Sequence, residues 1–247
     1  MATFVLVHGG WHGAWCWERL VPRLHAAGHT VIAVDLPGYG EDHTPVRDIT
    51  LQAYADKVLA AVDAAAEPVV LVGHSLGGIV ISTVAEQRPE RIAHLVYLAA
   101  LMLPRGVSPL QFAQTTPEHY DWLSLYRIIE PDKGIHWIVA DRVRELFLND
   151  ADDADVAWVT KRLQRDYLGP LSSPVQVTAQ RWGSIPRTYI EALYDRAISL
   201  AEQRRMQRLS PGATVHSLAT GHSPFITRPD DTADLLLRAT TSIRTGQ

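Results

Sequence analysis

The stretch VVLVGHSLGG at residues 69–78 is the part of the sequence that decides the fold. Its four leading apolar residues predict a buried strand, and the small, apolar residues from Gly78 onward predict a helix. Between them, GHSLG at residues 73–77 has the pattern of a nucleophile elbow, in which a serine stands on a strained strand-to-helix turn between two glycines. Ser75 is therefore the candidate nucleophile, and a glycine-rich turn without catalytic function is the alternative interpretation.

Strands and helices alternate on both sides of this motif. Continuous apolar runs predict strands at residues 3–8, 30–35, 69–73, 94–98, 187–192 and 214–218. Helical patterns lie at residues 16–27, 51–65, 76–87, 200–209 and 231–241. Strands that are apolar throughout are typical of parallel sheets covered by helices on both faces. The sequence predicts an α/β fold with a mostly parallel, doubly wound sheet of about six strands.

The alternation breaks after Leu103 and resumes at Arg187. Residues 104–186 contain several prolines and no clear strand, and they look helical at residues 142–148 and after the acidic run 150–155. This segment also carries four tryptophans, Trp122, Trp137, Trp158 and Trp182. We interpret it as a helical lid inserted between a first core part, residues 1–103, and a second core part, residues 187–247.

Composition excludes several classes of partner. With 23 basic and 27 acidic residues the net charge is -4, so neither nucleic acid nor an anionic membrane is an expected partner. The single Cys16 cannot form an internal disulfide, and residues 1–8 lack the basic segment of a signal peptide. The longest apolar run, residues 95–103, is far too short to cross a bilayer. These features predict a cytoplasmic protein, with a homodimer as one option for its assembly.

No metal site is predicted. His8 and His12 are four residues apart but sit in a glycine-rich loop rather than on a helix. The acidic run at residues 150–155 lacks the spacing and the glycine of a calcium-binding loop.

A serine nucleophile needs a base, and the base needs an acid that orients it. In α/β-hydrolases these residues follow in the order serine, acid, histidine. Among the eleven histidines, His222 is the best placed, because its loop ATGHSP follows a predicted strand. Asp195 stands in the turn after another strand and is the candidate acid. Glu191, within that strand, is the rival that the sequence leaves open.

Two backbone N–H groups are expected to bind the oxyanion that forms during acyl transfer. One belongs to Leu76, which follows the nucleophile, and the other to the loop after the first strand. That loop is HGGW at residues 8–11, and Gly10 is the candidate donor.

These residues identify a family resemblance. FVLVHGG at residues 4–10, HGAWCW at 12–17, AAGH at 26–29 and GHSLGG at 73–78 resemble the plant methylesterase and hydroxynitrile lyase group of α/β-hydrolases. IPRTYIEAL at residues 185–193, QRRMQ at 203–207 and the His222 loop are similar to bacterial pyrethroid-hydrolase-type carboxylesterases. The resemblance covers most of the chain and weakens in the lid.

The resemblance implies an α/β-hydrolase fold with a helical cap, no cofactor, and a Ser75–His222–Asp195 triad. The chain departs from its relatives at Gly10, where many carry alanine, and this difference should matter little for a backbone donor. It also departs at Tyr194, which replaces an acidic residue and leaves Asp195 as the only carboxylate of that turn.

Three functions compete. The leading hypothesis is a serine carboxylesterase for small hydrophobic or aromatic esters, with Trp11, Phe112, Trp122 and Phe225 as candidate substrate-binding residues. Pyrethroid-type and methyl esters fit this hypothesis. A hydroxynitrile lyase would use the same triad as a base, but the lyases that the chain resembles place a lysine where Ser223 stands and a threonine where Gly9 stands. A small-molecule receptor on a hydrolase scaffold is the third hypothesis, and an intact triad argues against it.

Overall fold

The computed structural model describes residues 1–116 and 125–245. Within these ranges, one sheet is built from strands β1 (Thr3–Val7), β2 (Thr30–Val34), β3 (Val69–His74), β4 (Ile92–Leu98), β8 (Arg187–Ala192) and β9 (Ala213–Leu218). Their spatial order is β2-β1-β3-β4-β8-β9, and all neighbouring strands run parallel. The predicted α/β fold with a parallel sheet of about six strands is confirmed.

Helices cover both faces of this sheet. They are α1 (Val21–Ala26), α2 (Leu51–Ala64), α3 (Gly77–Gln87), α8 (Leu200–Leu209), the short α9 (Pro224–Thr227) and α10 (Pro229–Thr245). In β1, Val5 and Val7 pack into the core under α2 and α3, while Phe4 and Leu6 pack into the opposite core with α1 and α10. Both faces of the strand are buried, which is why its sequence is apolar throughout.

The helix predicted at residues 16–27 is shorter in the structure. A 3₁₀ turn at Ala14–Trp17 precedes α1, which begins only at Val21 with a proline in its first turn. Proline is favoured there because the first helical residues have no acceptor for their N–H groups. None of the described helices is long and apolar enough to span a bilayer.

Residues 104–186 contain strands as well as helices, so the expectation that this segment holds no strand is wrong. Its elements are α4 (Pro109–Gln114), β5 (Arg127–Glu130), β6 (Ile135–Ile138), α5 (Val143–Phe147), α6 (Asp153–Thr160), β7 (Asp166–Tyr167) and α7 (Leu168–Ser172). The three strands form a small antiparallel sheet in the order β5-β6-β7. Each has four residues or fewer, and β5 is largely polar or exposed, so no alternating pattern could reveal them.

The strand order brings two pairs of loops together at the carboxyl edge of the sheet. The chain runs from β1 outward to β2 and returns to β3 on the other side of β1, so the loops after β1 and β3 border the crevice in which α/β proteins bind ligands. The loops after β8 and β9 are joined by backbone hydrogen bonds from Leu193 N to Leu218 O and from Tyr194 N to Thr220 O, both 2.9 Å.

Candidate active site

Ser75 stands on a strained turn between β3 and α3. Its φ of 52° lies in the left-handed region, which non-glycine residues rarely occupy outside functional sites. The turn packs tightly against the loop after β1, because a Cβ at Gly77 would lie 2.6 Å from Val7 O. Leu76 caps the N-terminus of α3, so its backbone N–H points away from the helix. The local geometry is that of the predicted elbow.

His222 and Asp195 are joined by a hydrogen bond of 2.7 Å from Nδ1 to Oδ2. Asp195 is fixed in turn by the backbone N–H groups of Ala197 and Ile198, which donate to Oδ1 at 2.8 and 2.9 Å. Gln203 Nε2 also donates to Asp195 Oδ2, at 3.3 Å. When Nδ1 donates in this bond, Nε2 is the ring nitrogen left to act as an acceptor.

Glu191, the rival acid, lies away from His222. Its carboxylate accepts hydrogen bonds from Arg204, Gln207 and Ser217 at 2.9–3.3 Å. Burial alone would raise the pKa of Glu191, but these donors outweigh burial and lower the pKa. The structure thus brings Asp195, and not Glu191, into contact with the imidazole.

Ser75 lines a cavity to which His222 is connected through Phe147, although His222 itself is not part of the cavity wall. His74 Nε2 donates to the backbone oxygen of His222 at 2.9 Å, which ties the His222 loop to the elbow. Phe147 lines the cavity together with Ser75 and stacks on the His222 ring at 5.6 Å between centroids. Among the described residues, no hydrogen bond joins Ser75 Oγ to His222 Nε2. Such bonds are often long before substrate binds.

The loop after β1 borders the same cavity. Gly10 and Leu76 both line it, and in the described part of the chain neither N–H donates a backbone hydrogen bond. Trp11 follows with a φ of 61°, a second strained residue, and its carbonyl accepts from Gln164 N at 2.8 Å. The loop is therefore held by the inserted segment as well as by the sheet.

Three buried histidines fix the backbone around the site. His8 and His12 donate from Nδ1 to the carbonyls of Gly9 and Gly10, both at 2.8 Å. Burial lowers the pKa of His8 to about 4 and that of His12 to about 3. Burial also lowers the pKa of His74 well below its usual range. These rings are neutral near pH 7 and act as scaffold.

The cavity beside Ser75 is mostly apolar. Its wall is formed by Gly10, Trp11, Ser75, Leu76, Leu101, Pro109, Leu110, Phe112, Ala113, Arg127, Phe147, Asp166, Leu171, Ala197, Ile198 and Glu202. About half of these residues come from the inserted segment, so the segment shapes the space in front of Ser75.

Only some of the aromatic residues that were predicted to bind substrate line the cavity. Trp11 and Phe112 line the cavity, as expected. Phe225 does not: it is fully buried behind the site, with ring centroids 4.7 Å from His74 and 4.6 Å from Trp17. Trp122 lies outside the described residues.

The other tryptophans of the segment, Trp137, Trp158 and Trp182, do not line the cavity. Trp158 contacts Trp15 at 5.2 Å between ring centroids, and Trp182 Nε1 donates to Tyr97 Oη at 2.7 Å. Neither lines the cavity, so its aromatic character comes from Trp11, Phe112 and Phe147.

Sequence reasoning missed three residues at the site. Phe147 covers His222, Asn149 Nδ2 donates to the backbone oxygen of Tyr194 at 3.0 Å, and Asp166 places a carboxylate in the cavity. All three lie in the inserted segment, where no motif marks them. The sequence offered only the departure at Gly10, where many relatives carry alanine, and the structure shows that a Cβ at residue 10 would overlap the Asp166 carboxylate. Among the described residues, no group of three histidine, cysteine or acidic side chains is placed to hold a metal ion.

Comparison with known proteins agrees with this arrangement. The alpha/beta hydrolase family matches residues 4–235, and the chain belongs to that family. It is 31% identical to a pyrethroid hydrolase of Sphingobium wenxiniae over 96% of this chain and 86% of that protein. The crystal structure of a pyrethroid hydrolase superposes with a TM-score of 0.85 at 28% identity, covering 98% of each chain.

A protein of Arabidopsis thaliana that carries the name methylesterase 13, chloroplastic, is 32% identical over 95% of this chain. The chain spans 55% of that longer protein. The resemblance to the methylesterase and pyrethroid hydrolase group is confirmed, and the relatives are esterases and hydrolases.

Proposed function

We propose that this protein is a serine carboxylesterase that hydrolyses small hydrophobic or aromatic carboxylic esters. The observation that carries the proposal is the bonded pair His222–Asp195, fixed on loops after neighbouring strands. A hydrogen bond from His74 ties the His222 loop to the elbow that places the strained Ser75 at an apolar cavity. Acyl transfer needs a partly exposed serine and a buried imidazole whose Nδ1 is held by a carboxylate, so that Nε2 can act as the base.

In the first half of the reaction, His222 Nε2 takes the proton of Ser75 Oγ while Oγ attacks the ester carbonyl carbon. The carbonyl oxygen becomes an oxyanion, which the N–H groups of Gly10 and Leu76 stabilise. Asp195 holds the resulting imidazolium through Nδ1. The tetrahedral intermediate then collapses, and the leaving alkoxide takes the proton from Nε2 and departs as the alcohol.

In the second half, the acyl group is bonded to Ser75. His222 Nε2 takes a proton from water, the hydroxide attacks the acyl carbon, and the same N–H groups bind the second oxyanion. Collapse returns the proton from Nε2 to Ser75 Oγ and releases the acid. Each proton that leaves a nucleophile is returned to a leaving group, so no cofactor is required.

The cavity favours apolar substrates. Leucine, proline, alanine and aromatic side chains form most of its wall, and apolar pockets of this kind bind hydrophobic ligands with few polar anchors. Residues 104–186 supply much of that wall and act as the lid. The relatives named as methylesterase and pyrethroid hydrolase make methyl esters and pyrethroid-type esters the first substrates to test.

A serine-directed phosphonate and a chromogenic ester test the proposal together. The wild-type protein should be labelled once, at Ser75, and should hydrolyse p-nitrophenyl or naphthyl esters. Ser75→Ala should lose both properties. Labelling that persists in Ser75→Ala would exclude the mechanism, and tight ester binding without turnover by the wild type would indicate a receptor.

The same preparation separates esterase from hydroxynitrile lyase. In the lyases that the chain resembles, a lysine directly after the catalytic histidine supplies the positive charge that a leaving cyanide needs in an enclosed site. The position after His222 is the buried, uncharged Ser223, and Gly9 stands where the lyases carry a threonine. Cyanide release from mandelonitrile should stay at background. Robust release with negligible ester turnover would reassign the protein as a lyase.

A further inference from the structure

Asp166 is a buried carboxylate in the wall of the active-site cavity that the proposed reaction does not use. It begins β7, is 1% exposed, and lines the cavity together with Gly10 and Ser75. Its Oδ2 occupies the space that a Cβ at Gly10 would need. The carboxylate therefore lies directly against the residue whose N–H is proposed to bind the oxyanion.

The two oxygens of this carboxylate have different surroundings. Oδ1 accepts hydrogen bonds from Tyr39 Oη and from the backbone N–H of Tyr167, the latter at 2.7 Å. Oδ2 lies 3.5 Å from His136 Nε2, at the outer limit of a hydrogen bond. Burial lowers the pKa of His136 to about 3, so that ring is neutral and supplies no compensating charge. Oδ1 therefore accepts the hydrogen bonds that hold Asp166 in place. Oδ2, on the side that faces Gly10, can still accept a hydrogen bond from a ligand.

An anion at this place is unfavourable for ester hydrolysis unless a donor covers it. Burial raises the pKa of Asp166 to about 6, so the group is still ionised at neutral pH. A bound apolar ester would close the cavity over Oδ2 without supplying a hydrogen-bond donor, and a buried carboxylate without donors is costly. It would also oppose the negative charge that develops on the carbonyl oxygen. A hydrogen-bond donor on the substrate would relieve both penalties.

Resting on the proposed function, we propose that Asp166 Oδ2 accepts a hydrogen bond from a hydroxyl group that the substrate carries close to its ester carbonyl. Gly10 and Gly9 are consecutive, and Gly9 packs against Ser75, with an ideal Cβ only 2.6 Å from Ser75 Cβ. A donor that meets Asp166 thus belongs to the part of the substrate near the reacting carbon. The substrate class is small, otherwise apolar hydroxy esters.

A hydroxyl fits better than an ammonium group. Arg127 lines the same cavity, and its charge acts to lower the pKa of Asp166. A second cation at Oδ2 would be repelled by Arg127, whereas a neutral hydroxyl would not. A neutral hydroxyl also leaves the electrostatic interaction between Asp166 and Arg127 in place, because it brings no charge of its own.

Matched ester pairs test this assignment. Methyl mandelate and methyl phenylacetate differ by one hydroxyl on the carbon next to the carbonyl. Methyl 3-hydroxy-3-phenylpropanoate and methyl 3-phenylpropanoate differ by one hydroxyl a carbon further away. In at least one pair, wild-type kcat/KM should favour the hydroxy ester by roughly 10-fold or more, the effect of a hydrogen bond to a charged group. Asp166→Asn should reduce that ratio, and Asp166→Ala should abolish it.

Glu202→Gln is the matched control, because Glu202 lines the same cavity but lies on α8. Its carboxylate accepts from Ser199 N at 2.9 Å as part of a capping box, which glutamine also supports. This variant should keep the wild-type ratio.

Calorimetry of the same esters binding to the Ser75→Ala variant tests the subsite even if no ester is hydrolysed. The hydroxy ester should bind more tightly, and Asp166→Ala in the Ser75→Ala background should remove the difference. No hydroxyl preference in either pair, or a preference that both Asp166 variants retain, would overturn the proposal. Tighter binding of methyl phenylglycinate than of methyl mandelate would overturn it in favour of an amine.

Discussion

The side-chain oxygen of Asn149 occupies the space in which a side chain at residue 221 would have to stand. An ideal Cβ on Gly221 would overlap Asn149 Oδ1 and would lie 2.7 Å from Asp150 Oδ1. The amide of Asn149 also donates to Tyr194 O at 3.0 Å. One residue of the inserted segment therefore contacts the residue before Asp195 and the residue before His222, and it positions both loops.

Gly221→Ala should displace Asn149 or the His222 loop. We expect a loss of stability of about 1–3 kcal/mol from overpacking, together with a lower kcat at unchanged KM. Asn149→Ala should lower kcat by a smaller factor, because it removes one hydrogen bond without adding a clash. Ester kinetics and thermal unfolding of the two variants and their double mutant give the answer. If Gly221→Ala is as harmful in the Asn149→Ala background as in the wild-type background, the contact between the two residues is not the cause.

Asp195→Asn should leave the fold intact and lower turnover by roughly 10⁴, because the amide no longer fixes the tautomer that leaves Nε2 as a base. Glu191→Gln is the matched control, since Glu191 is also a buried carboxylate and lies on the strand that leads into the Asp195 turn. It should lower stability through its lost pairing with Arg204 but keep kcat within a few-fold. Steady-state kinetics and circular dichroism measure both effects. The reverse pattern would move the orienting acid to Glu191.

Gly10→Ala should be far more harmful in the presence of the Asp166 carboxylate than in its absence. The added methyl group overlaps Asp166 Oδ2, so the loop or the carboxylate has to move. Measured as free energies of unfolding, Gly10→Ala, Asp166→Ala and the double variant should show a coupling energy of about 0.5–3 kcal/mol. Additive effects within experimental error would mean that the loop absorbs the methyl group without touching residue 166.

Acid should destabilise the fold through buried imidazoles. The pKa values of His8, His12 and His136 are lowered to about 4, 3 and 3, so between pH 6.5 and about 4 the unfolded chain binds protons that the folded chain does not. The stability they contribute is present above pH 6.5 and is lost as the pH falls toward 4, by about 1.4 kcal/mol per pH unit for each ring. Asp166, whose pKa is raised to about 6, acts in the opposite direction over nearly the same range.

Three rings outweigh one carboxyl group, so the free energy of unfolding should fall by several kcal/mol from pH 7 to pH 5. Urea titrations at the two pH values measure it. His12→Gln, which keeps a donor for Gly10 O, should show a shallower pH dependence than the wild type. Equal stability at both pH values would show that these rings are not neutral in the folded protein.

The strands of the main sheet and the elbow were predictable because each leaves a local pattern. Residues 69–78 combine an apolar run, two glycines and a serine, and the structure forms the strand, turn and helix there. Asp195 and His222 were predicted from their places after two strands, and the structure joins their side chains by a hydrogen bond of 2.7 Å, while their catalytic roles stay a prediction.

The cavity wall was less predictable, because it depends on tertiary packing in a segment of short elements. The four tryptophans of the segment were expected to give it aromatic surface, yet Trp158 and Trp182 pack against other parts of the fold. Phe225 was a candidate substrate-binding residue, but it is buried against His74. Asp166 has no sequence signature of its own, and its importance appears only when its carboxylate is seen against Gly10.

The close approach of Asp166 to Gly10 also limits the routes by which this cavity can be remodelled. Alanine at residue 10 becomes acceptable only after the carboxylate at 166 has been replaced by something smaller, so the two changes have a required order. Mutant libraries that vary one position at a time would discard alanine at residue 10. They would score substitutions of Asp166 only in the presence of Gly10, so the dependence between the two positions would go unseen. Varying the two codons together would reach catalysts that stepwise selection does not.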